Sequence, residues 1–582
     1  MNRLNTLRIL MKEHECNAYL ISDSDAHYTF YSLSREDRRI NWITECQAQC
    51  GLALVTLNDI ALFQVPPNYF LLAKNEINEN NWLIVDDLVQ WLYEHELKID
   101  RICYDPRLTP FFVIQSFEKL KSKGYSLYPM LTTTNLIDAI SINEKTFKEH
   151  TLTPIWSLDQ TNFPGKTSEE KIFELRQNYL IDDNNQYTLI TTAMDEIAWL
   201  LNLRANDMEC NPFFYSFMII STDQLILFTD NPYENLHYDI RPYNDFFSFL
   251  STFENQNIWI DERTSMSVIL NLLYPPKKIV RSPIQQMKEI KNSIELNGFK
   301  QCHYRDCAAV CETFDWLETS IKNKLKINEY DVMKYLENCQ KQKDYYIGIS
   351  FDTISANGIN TSLVEYAPSI HSQYTINEDD IYYLDAGANY YDGTTDMTRT
   401  LHFGNPTVKQ IQCYTLLLRA ILSIEMKLFE LNEKINGERI YKMLQEYLKD
   451  LDSSIKHISF GHGVSHGQGV IEGGISISDK YSLANQMDIK PGMVITLEPG
   501  IYYEGEWGIR IENVYSIEQN QSNQIYFNPL TLIPYEKKLV DFNYLTEQEL
   551  IWIKNYHQRC LDNVNGGKWM KHQIEKFNLS QV

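Results

Sequence analysis

The stretch Ile381–Gly404 reads IYYLDAGANYYDGTTDMTRTLHFG. Two arms rich in β-forming residues flank Asp392-Gly393, a dipeptide suited to a two-residue hairpin turn. On this reading Asp385 and Asp396 stand on opposite arms, where cross-strand neighbours approach to about 5 Å. Two carboxylates can then share one cation.

Three further acids and bases fall in similar apolar, glycine-rich settings. Thr496–Gly500 (TLEPG) ends an apolar strand on Glu498, and Gly508–Val514 (GIRIENV) alternates so that Arg510 and Glu512 share a face. His462 sits in Gly461–Val464 (GHGV). The candidate ligand set is Asp385, Asp396, His462, Glu498 and Glu512. Burying four carboxylates without compensation is very costly, whereas two divalent ions and a neutral imidazole make the set neutral. Mostly oxygen ligands suit a manganese-like ion better than a thiolate-seeking one. The alternative, that each acid tips its strand into water, fits any one of them and fits all five together badly.

Around this core the region from Arg281 to Val582 alternates long helices (Met287–Glu318, Thr407–Asn436, Glu438–Leu451) with β-rich stretches (Ile381–Gly404, Gly492–Val514) and ends in a helical tail. Residues 1–150 mix apolar runs such as Gly51–Phe63 with amphipathic ones such as Asn81–Glu94, which predicts an α/β unit. After the Pro/Thr/Gly-rich Thr151–Thr167, a second unit, residues 151–280, opens with a helix over Ser168–Leu180 and closes at Tyr274–Val280. Leu20–Tyr31 (LISDSDAHYTFY) and Leu189–Leu200 (LITTAMDEIAWL) echo each other: strand end, Asp-containing turn, aromatic helix. The echo predicts a duplicated α/β domain, with chance similarity as the alternative. The fold class is α/β and α+β in three domains: 1–150, 151–280 and 281–582.

Length and composition agree. At roughly 100–200 residues per domain, 582 residues exceed one core, and 44% hydrophobic with 13% aromatic content is globular rather than disordered. A net charge of −24 argues against nucleic acid and anionic membrane surfaces as partners. The first twenty residues lack the apolar core of a secretory signal, and no stretch approaches the ~18 apolar residues of a membrane span. The 11 cysteines form no CxxC pair, so reduced thiols in a cytoplasmic protein are expected. The GKT at Gly165 has Gln160 where a phosphate loop needs glycine, the HEL at His95 lacks a zincin's second histidine, and no GxSxG occurs.

The order and spacing of the five candidates resemble the metal-binding set of the pita-bread-fold metallopeptidases, the group of methionine aminopeptidase, prolidase and aminopeptidase P. The strings LDAGANYYDGTTDMTRTLHFG, SFDTISANGINTSLVEYAP, GHGVSHGQGVIEGG and LEPGIYYEGEWGIRIENV, together with MDEIAWLLNLRANDMECNPFFYSF in the second unit, are similar to the cytosolic, three-domain aminopeptidase P branch. The resemblance spans essentially the whole chain. It implies two creatinase-like N-terminal domains before a pita-bread catalytic domain, and two divalent metal ions, with manganese expected. It also implies release of the N-terminal residue from Xaa-Pro peptides, and a homodimer. Glu498 would move the proton of an activated water and Arg510 would orient the carboxylates.

Three substrate-binding positions depart from that pattern. Glu365 stands where the family carries a histidine before Tyr-Ala-Pro, Ile458 where it carries one four residues ahead of the GHG histidine, and Ile471 where it carries one in VHEG. Ile cannot stabilise an oxyanion and Glu has the wrong charge, so weakened or altered specificity is expected. A pseudoenzyme that binds peptides or a protein partner without turnover is the alternative. A third reading, hydrolysis of another small amide, pairs Glu365 with a cationic substrate group. His466 opens a second register, since bacterial relatives show His-x-x-x-His with the second histidine as ligand. The GHGV string and the nine-residue step to Ile471 favour His462.

Overall fold

The computed structural model describes residues 3–578 apart from 29–32, 59, 96, 98, 132–134, 142–149, 160, 183–184, 373, 450–461 and 479–482. Two compact units result: one comprises Met1–Asp159 and Lys166–Gln285, the other Gln160–Gly165 and Gln286–Val582.

The first unit holds two six-stranded sheets. The first runs, edge to edge, Leu83–Val85, Ala61–Gln64, Leu52–Thr56, Ala18–Ser22, Arg101–Tyr104 and Ser126–Pro129. The second runs Asp239–Arg241, Leu225–Phe228, Phe217–Ile220, Thr188–Thr191, Ile258–Ile260 and Lys278–Ile279. Every step has the same sense in both sheets: parallel, antiparallel, antiparallel, parallel, parallel. The echo at Leu20 and Leu189 is therefore one topology used twice, although the helical half of the first copy falls largely on residues 29–32, outside the described residues. Strand alternation gives the first sheet two buried faces: Tyr19, Ile21, Ala53, Val55 and Phe63 on one, Ala18, Leu20, Leu54, Leu62 and Ile102 on the other. On the former face Cys16 and Cys103 form a disulfide, which corrects the expectation of reduced thiols throughout. Lys278–Ile279, within the stretch expected to close the second unit, forms the sheet's last strand.

In the second unit one large apolar core joins helices Ser293–Lys322, Glu329–Lys341, Val408–Glu425, Gly437–Leu448, Glu547–Asn563 and Gly567–Asn578 to the sheets they enclose. Asn292, with Glu295 in a capping box, starts the first of these helices six residues later than the periodicity predicts. The helix expected over Thr407–Asn436 stops at Glu425, because Phe429–Glu430 pairs with Gln524–Ile525. Thr407 begins it with a capping box to Gln410. Pro164, in the Pro/Thr/Gly-rich stretch expected within residues 151–280, accepts a hydrogen bond from Asn292 and belongs to this unit.

The hairpin of Ile381–Gly404 forms in two tiers. Ile381–Ala386 pairs with Met397–His402, placing Asp385 opposite Thr398. Beyond it Asn389 and Tyr390 pair with Thr394 and Gly393 around the expected turn, and this tip joins Tyr346–Ile349 in another sheet. Gly387 lies at the break between tiers, where a Cβ would come within 2.0 Å of the Thr395 carbonyl oxygen. Strands Val494–Leu497 and Asn513–Gln519 pair so that Leu497 faces Asn513, leaving Glu498 and Glu512 just past the ladder's end.

Candidate metal centre

Three groups of side chains bring potential ligand atoms within 4.8 Å of one another: Asp385, Asp396 and Glu512; His466, Glu498 and Glu512; and Asp396, His466 and Glu472. Four of the five expected residues converge here. The histidine in these groups is His466 rather than the preferred His462, whose Nδ1 nevertheless lies 3.7 Å from Glu498 Oε2. His466 Nε2 lies 3.3 Å from Asp396 Oδ2, 3.6 Å from Glu498 Oε1 and 3.8 Å from Glu472 Oε2. Its strand, Ser465–His466, pairs with Ser476–Ile477, and the next residue, Gly467, bridges to Ile495, so the imidazole reaches the end of the Glu498 strand. The His466 backbone N–H donates to Thr496 Oγ1, whose hydroxyl donates to Glu498 Oε1.

Among the described residues His462 touches only the Glu498 edge of the cluster. Its Nδ1 is 2.6 Å from the Gly463 carbonyl oxygen and its Nε2 is 3.0 Å from Tyr502 Oη. Arg510 Nη1 donates to that same hydroxyl at 2.6 Å. Burial and the Arg510 charge push the His462 imidazole down to about 3, which keeps it neutral. Nδ1–H then donates to Gly463 and Nε2 accepts from Tyr502. His466 goes the other way: burial, which alone would lower it, is outweighed by Glu472, Glu498 and Glu512, and its pKa rises to about 9.

Arg510 Nε donates to Asp385 Oδ2 at 3.0 Å, and its Nη2 donates to the same oxygen. The other oxygen, Asp385 Oδ1, is buried with no hydrogen-bond partner among the described residues. Thr398 Oγ1 donates to Glu512 Oε2 at 2.9 Å. Burial first, then the neighbouring acids, hold Asp396, Glu498 and Glu512 well above the ordinary carboxylate range. Gathered acids, an orphaned inward oxygen and one imidazole make an oxygen-rich donor set that fits divalent cations, with Glu512 common to two of the groups.

Of the expected substrate positions, Ile458 lies outside the described residues. Ile471 is half-buried beside Glu472. Glu365 is half-buried on a loop tied to the site: Arg510 Nη1 donates to the Val364 carbonyl at 3.2 Å and the Tyr383 hydroxyl to the Leu363 carbonyl at 3.0 Å. Glu472 and Tyr502 are the side chains the sequence reading missed. Their only signal is proximity to His466 and Glu498 along the chain, which is weak without the fold.

This centre and the two sheets before it are those of a metallopeptidase. Residues 297–519 match "Metallopeptidase family M24", residues 524–574 its C-terminal region, and residues 3–140 and 148–295 two forms of the "Creatinase/Prolidase N-terminal domain". The chain belongs to metallopeptidase family M24, with two creatinase-type domains preceding the pita-bread catalytic domain. More narrowly, it is similar to Xaa-Pro aminopeptidase 1 of Dictyostelium discoideum, at 33% identity over 98% of this chain and 96% of the relative. It is also similar to the Xaa-Pro aminopeptidase ApepP of Drosophila melanogaster, at 32% identity over 97% and 94%. Among solved structures, the X-prolyl aminopeptidase of Caenorhabditis elegans, described as a cytosolic enzyme with a di-nuclear active site, superposes with a TM-score of 0.88 at 26% identity, covering 99% of this chain and 98% of that one.

Proposed function

We propose that the protein is a dinuclear metal-dependent aminopeptidase that releases the N-terminal residue from peptides with proline at the second position. The observation that carries this reading is the convergence of Asp385, Asp396, His466, Glu498 and Glu512 on one buried locus, in a chain similar over its length to Xaa-Pro aminopeptidases. These five would hold two divalent ions, manganese being the ion their chemistry suits best. The ions would supply a water acidified towards neutral pH and a polarised substrate carbonyl.

The chain's own residues do the rest. Glu498, held by Thr496, accepts the water's proton and delivers it to the leaving proline nitrogen. Arg510 occupies one oxygen of Asp385, Oδ2, and so would leave Oδ1 available to hold an ion. With His466 as ligand, His462 stands four residues ahead of it, the spacing at which the resembled family carries a substrate histidine. That leaves two departures from the pattern, Glu365 and Ile471, and removes Ile458 from the substrate set. Glu365 brings a negative charge to the substrate side in place of an imidazole, which favours cationic groups there and sets an altered peptide preference. In cells we place the enzyme in the cytoplasm, as a homodimer.

The test is hydrolysis of an Xaa-Pro-Xaa peptide by purified protein with added manganese, alongside metal analysis. Turnover that Glu498→Gln removes supports the peptidase. Bound metal with no turnover beyond that of Glu498→Gln rejects it in favour of a binding protein, the reading that Glu365 and Ile471 would then favour.

A further inference from the structure

Arg399 is fully buried, at 1% exposure, on the face of its strand opposite the one that carries Thr398 towards Asp385. Among the described residues, every hydrogen bond it makes goes to a neutral oxygen. Nη1 donates to the carbonyls of Thr398 (2.9 Å) and Glu512 (2.6 Å). Nη2 donates to Asn513 Oδ1 (2.7 Å), the Ile533 carbonyl (2.9 Å) and the Tyr556 hydroxyl (2.8 Å), and Nε donates again to Ile533 (3.2 Å). A guanidinium buried with no carboxylate among these partners is a costly way to join strands. An apolar side chain would fill the same volume more cheaply.

What the arrangement achieves is control of Glu512. Ile511 and Glu512 fall between two strands, so no ladder fixes them. The Glu512 N–H instead donates to the Thr398 carbonyl at 3.1 Å, its carbonyl accepts from Arg399, and its carboxylate accepts from Thr398 Oγ1. Arg399 is itself fixed from outside the centre. Tyr556, on helix Glu547–Asn563, the one before the last helix Gly567–Asn578, accepts from Nη2 and is fully buried with it. The same helix supplies Trp552, whose indole donates to Glu425 Oε2 at 2.7 Å. Glu425 Oε1 accepts from Tyr515, next to Asn513 in this network.

We propose that Arg399 and Tyr556 are positioning residues for Glu512, so that helix Glu547–Asn563 sets the geometry in which the centre holds its ions. The proposal rests on the reading of Glu512 as a metal ligand. Outer partners of this kind change metal affinity or activity by roughly 10–100-fold when removed.

The test uses the full chain stripped of metal and titrated with Mn2+ by calorimetry, then assayed on an Xaa-Pro peptide. Tyr556→Phe, which removes one hydroxyl, is expected to weaken binding of one ion by roughly tenfold, lower kcat at limiting metal, recover with excess Mn2+, and leave KM unchanged. Arg399→Lys should do the same more strongly. Variants that melt lower but bind Mn2+ and turn over like the parent show a purely structural role and overturn the proposal. Glu512→Gln separates the two failures. If it loses an ion while Tyr556→Phe and Arg399→Lys titrate normally, only the positioning falls; if it too titrates normally, the ligand reading falls with it.

Discussion

Two buried charge clusters, one in each unit, are built on opposite principles. In the second N-terminal sheet, Glu196 is fully buried, yet both its oxygens are satisfied: Arg263 Nη2 donates to Oε1 at 3.0 Å, and Ser282 and Thr191 donate to Oε2. Arg263 also pairs with Asp261 at 2.7 Å, and the Ser282 N–H donates to that acid as well. In the catalytic unit Asp385, Asp396, Glu498 and Glu512 crowd together; among the described residues Arg510 pairs with Asp385 alone, and Asp385 Oδ1 has no partner. A cluster that closes its own hydrogen bonds has finished its work on folding. One that leaves acids facing each other is complete only with cations.

The sharpest way to break the second cluster is Glu498→Gln. The expected loss in kcat is ~10²–10⁴-fold, the usual worth of a positioned proton carrier, read from hydrolysis of an Xaa-Pro peptide with metal content measured in parallel.

Chelation should come next, because ions bound at a hundred times their Kd stabilise a fold by ~3 kcal/mol. The loss should depend on pH. Asp396, Glu498 and Glu512 have raised pKa values in the folded protein, so without ions their protonated forms are favoured. The penalty is absent below about pH 4, the unfolded carboxylate value, and grows as pH rises. Melting in a chelator should therefore fall further below the metal-loaded value at pH 8 than at pH 5. An equal drop at both values contradicts the mutual repulsion.

The first cluster should respond in stability only. Arg263→Met strands Glu196 and Asp261 and is expected to cost ~1–3 kcal/mol in chemical denaturation, with Mn2+ affinity unchanged.

The smallest effect concerns a neighbouring pair, His150 and Asp37, 3.0 Å apart. Burial opposes the charged form of both groups. The hydrogen bond between them nevertheless holds Asp37 below its ordinary value, with help from Arg39, and His150 above its own. The Asp37 contribution is present above about pH 4 and the His150 contribution is complete below about pH 6.5, fading as pH rises further. His150→Gln should flatten this decline between pH 6 and pH 8 in thermal melts, leaving the pH 8 value least affected.

The contrast between the clusters was only half legible in the sequence. Asp385, Asp396, Glu498 and Glu512 stand out because acids in apolar, glycine-rich strands break the local pattern, and a hairpin turn at Asp392-Gly393 places two of them on facing arms. The duplicated N-terminal topology left its trace at Leu20 and Leu189, since strands buried on both faces keep their apolar runs. Asp261 and Glu196 carried no such mark, because their partner Arg263 lies two residues from one and far along the chain from the other.

By itself, then, the sequence determined the strands, the turn and the acids, all properties of short stretches with their own periodicity. Which imidazole joins the acids was decided only in three dimensions. His462 and His466 are four residues apart, an even spacing that gives both the same face on an extended strand. Pairing of Ser465–His466 with Ser476–Ile477 and the bridge from Gly467 to Ile495 carry His466 to Glu498 and leave His462 against Tyr502. Glu472 and Tyr556 entered for the same reason: a contact between distant segments leaves no period in the chain, and only the packed core brings it about.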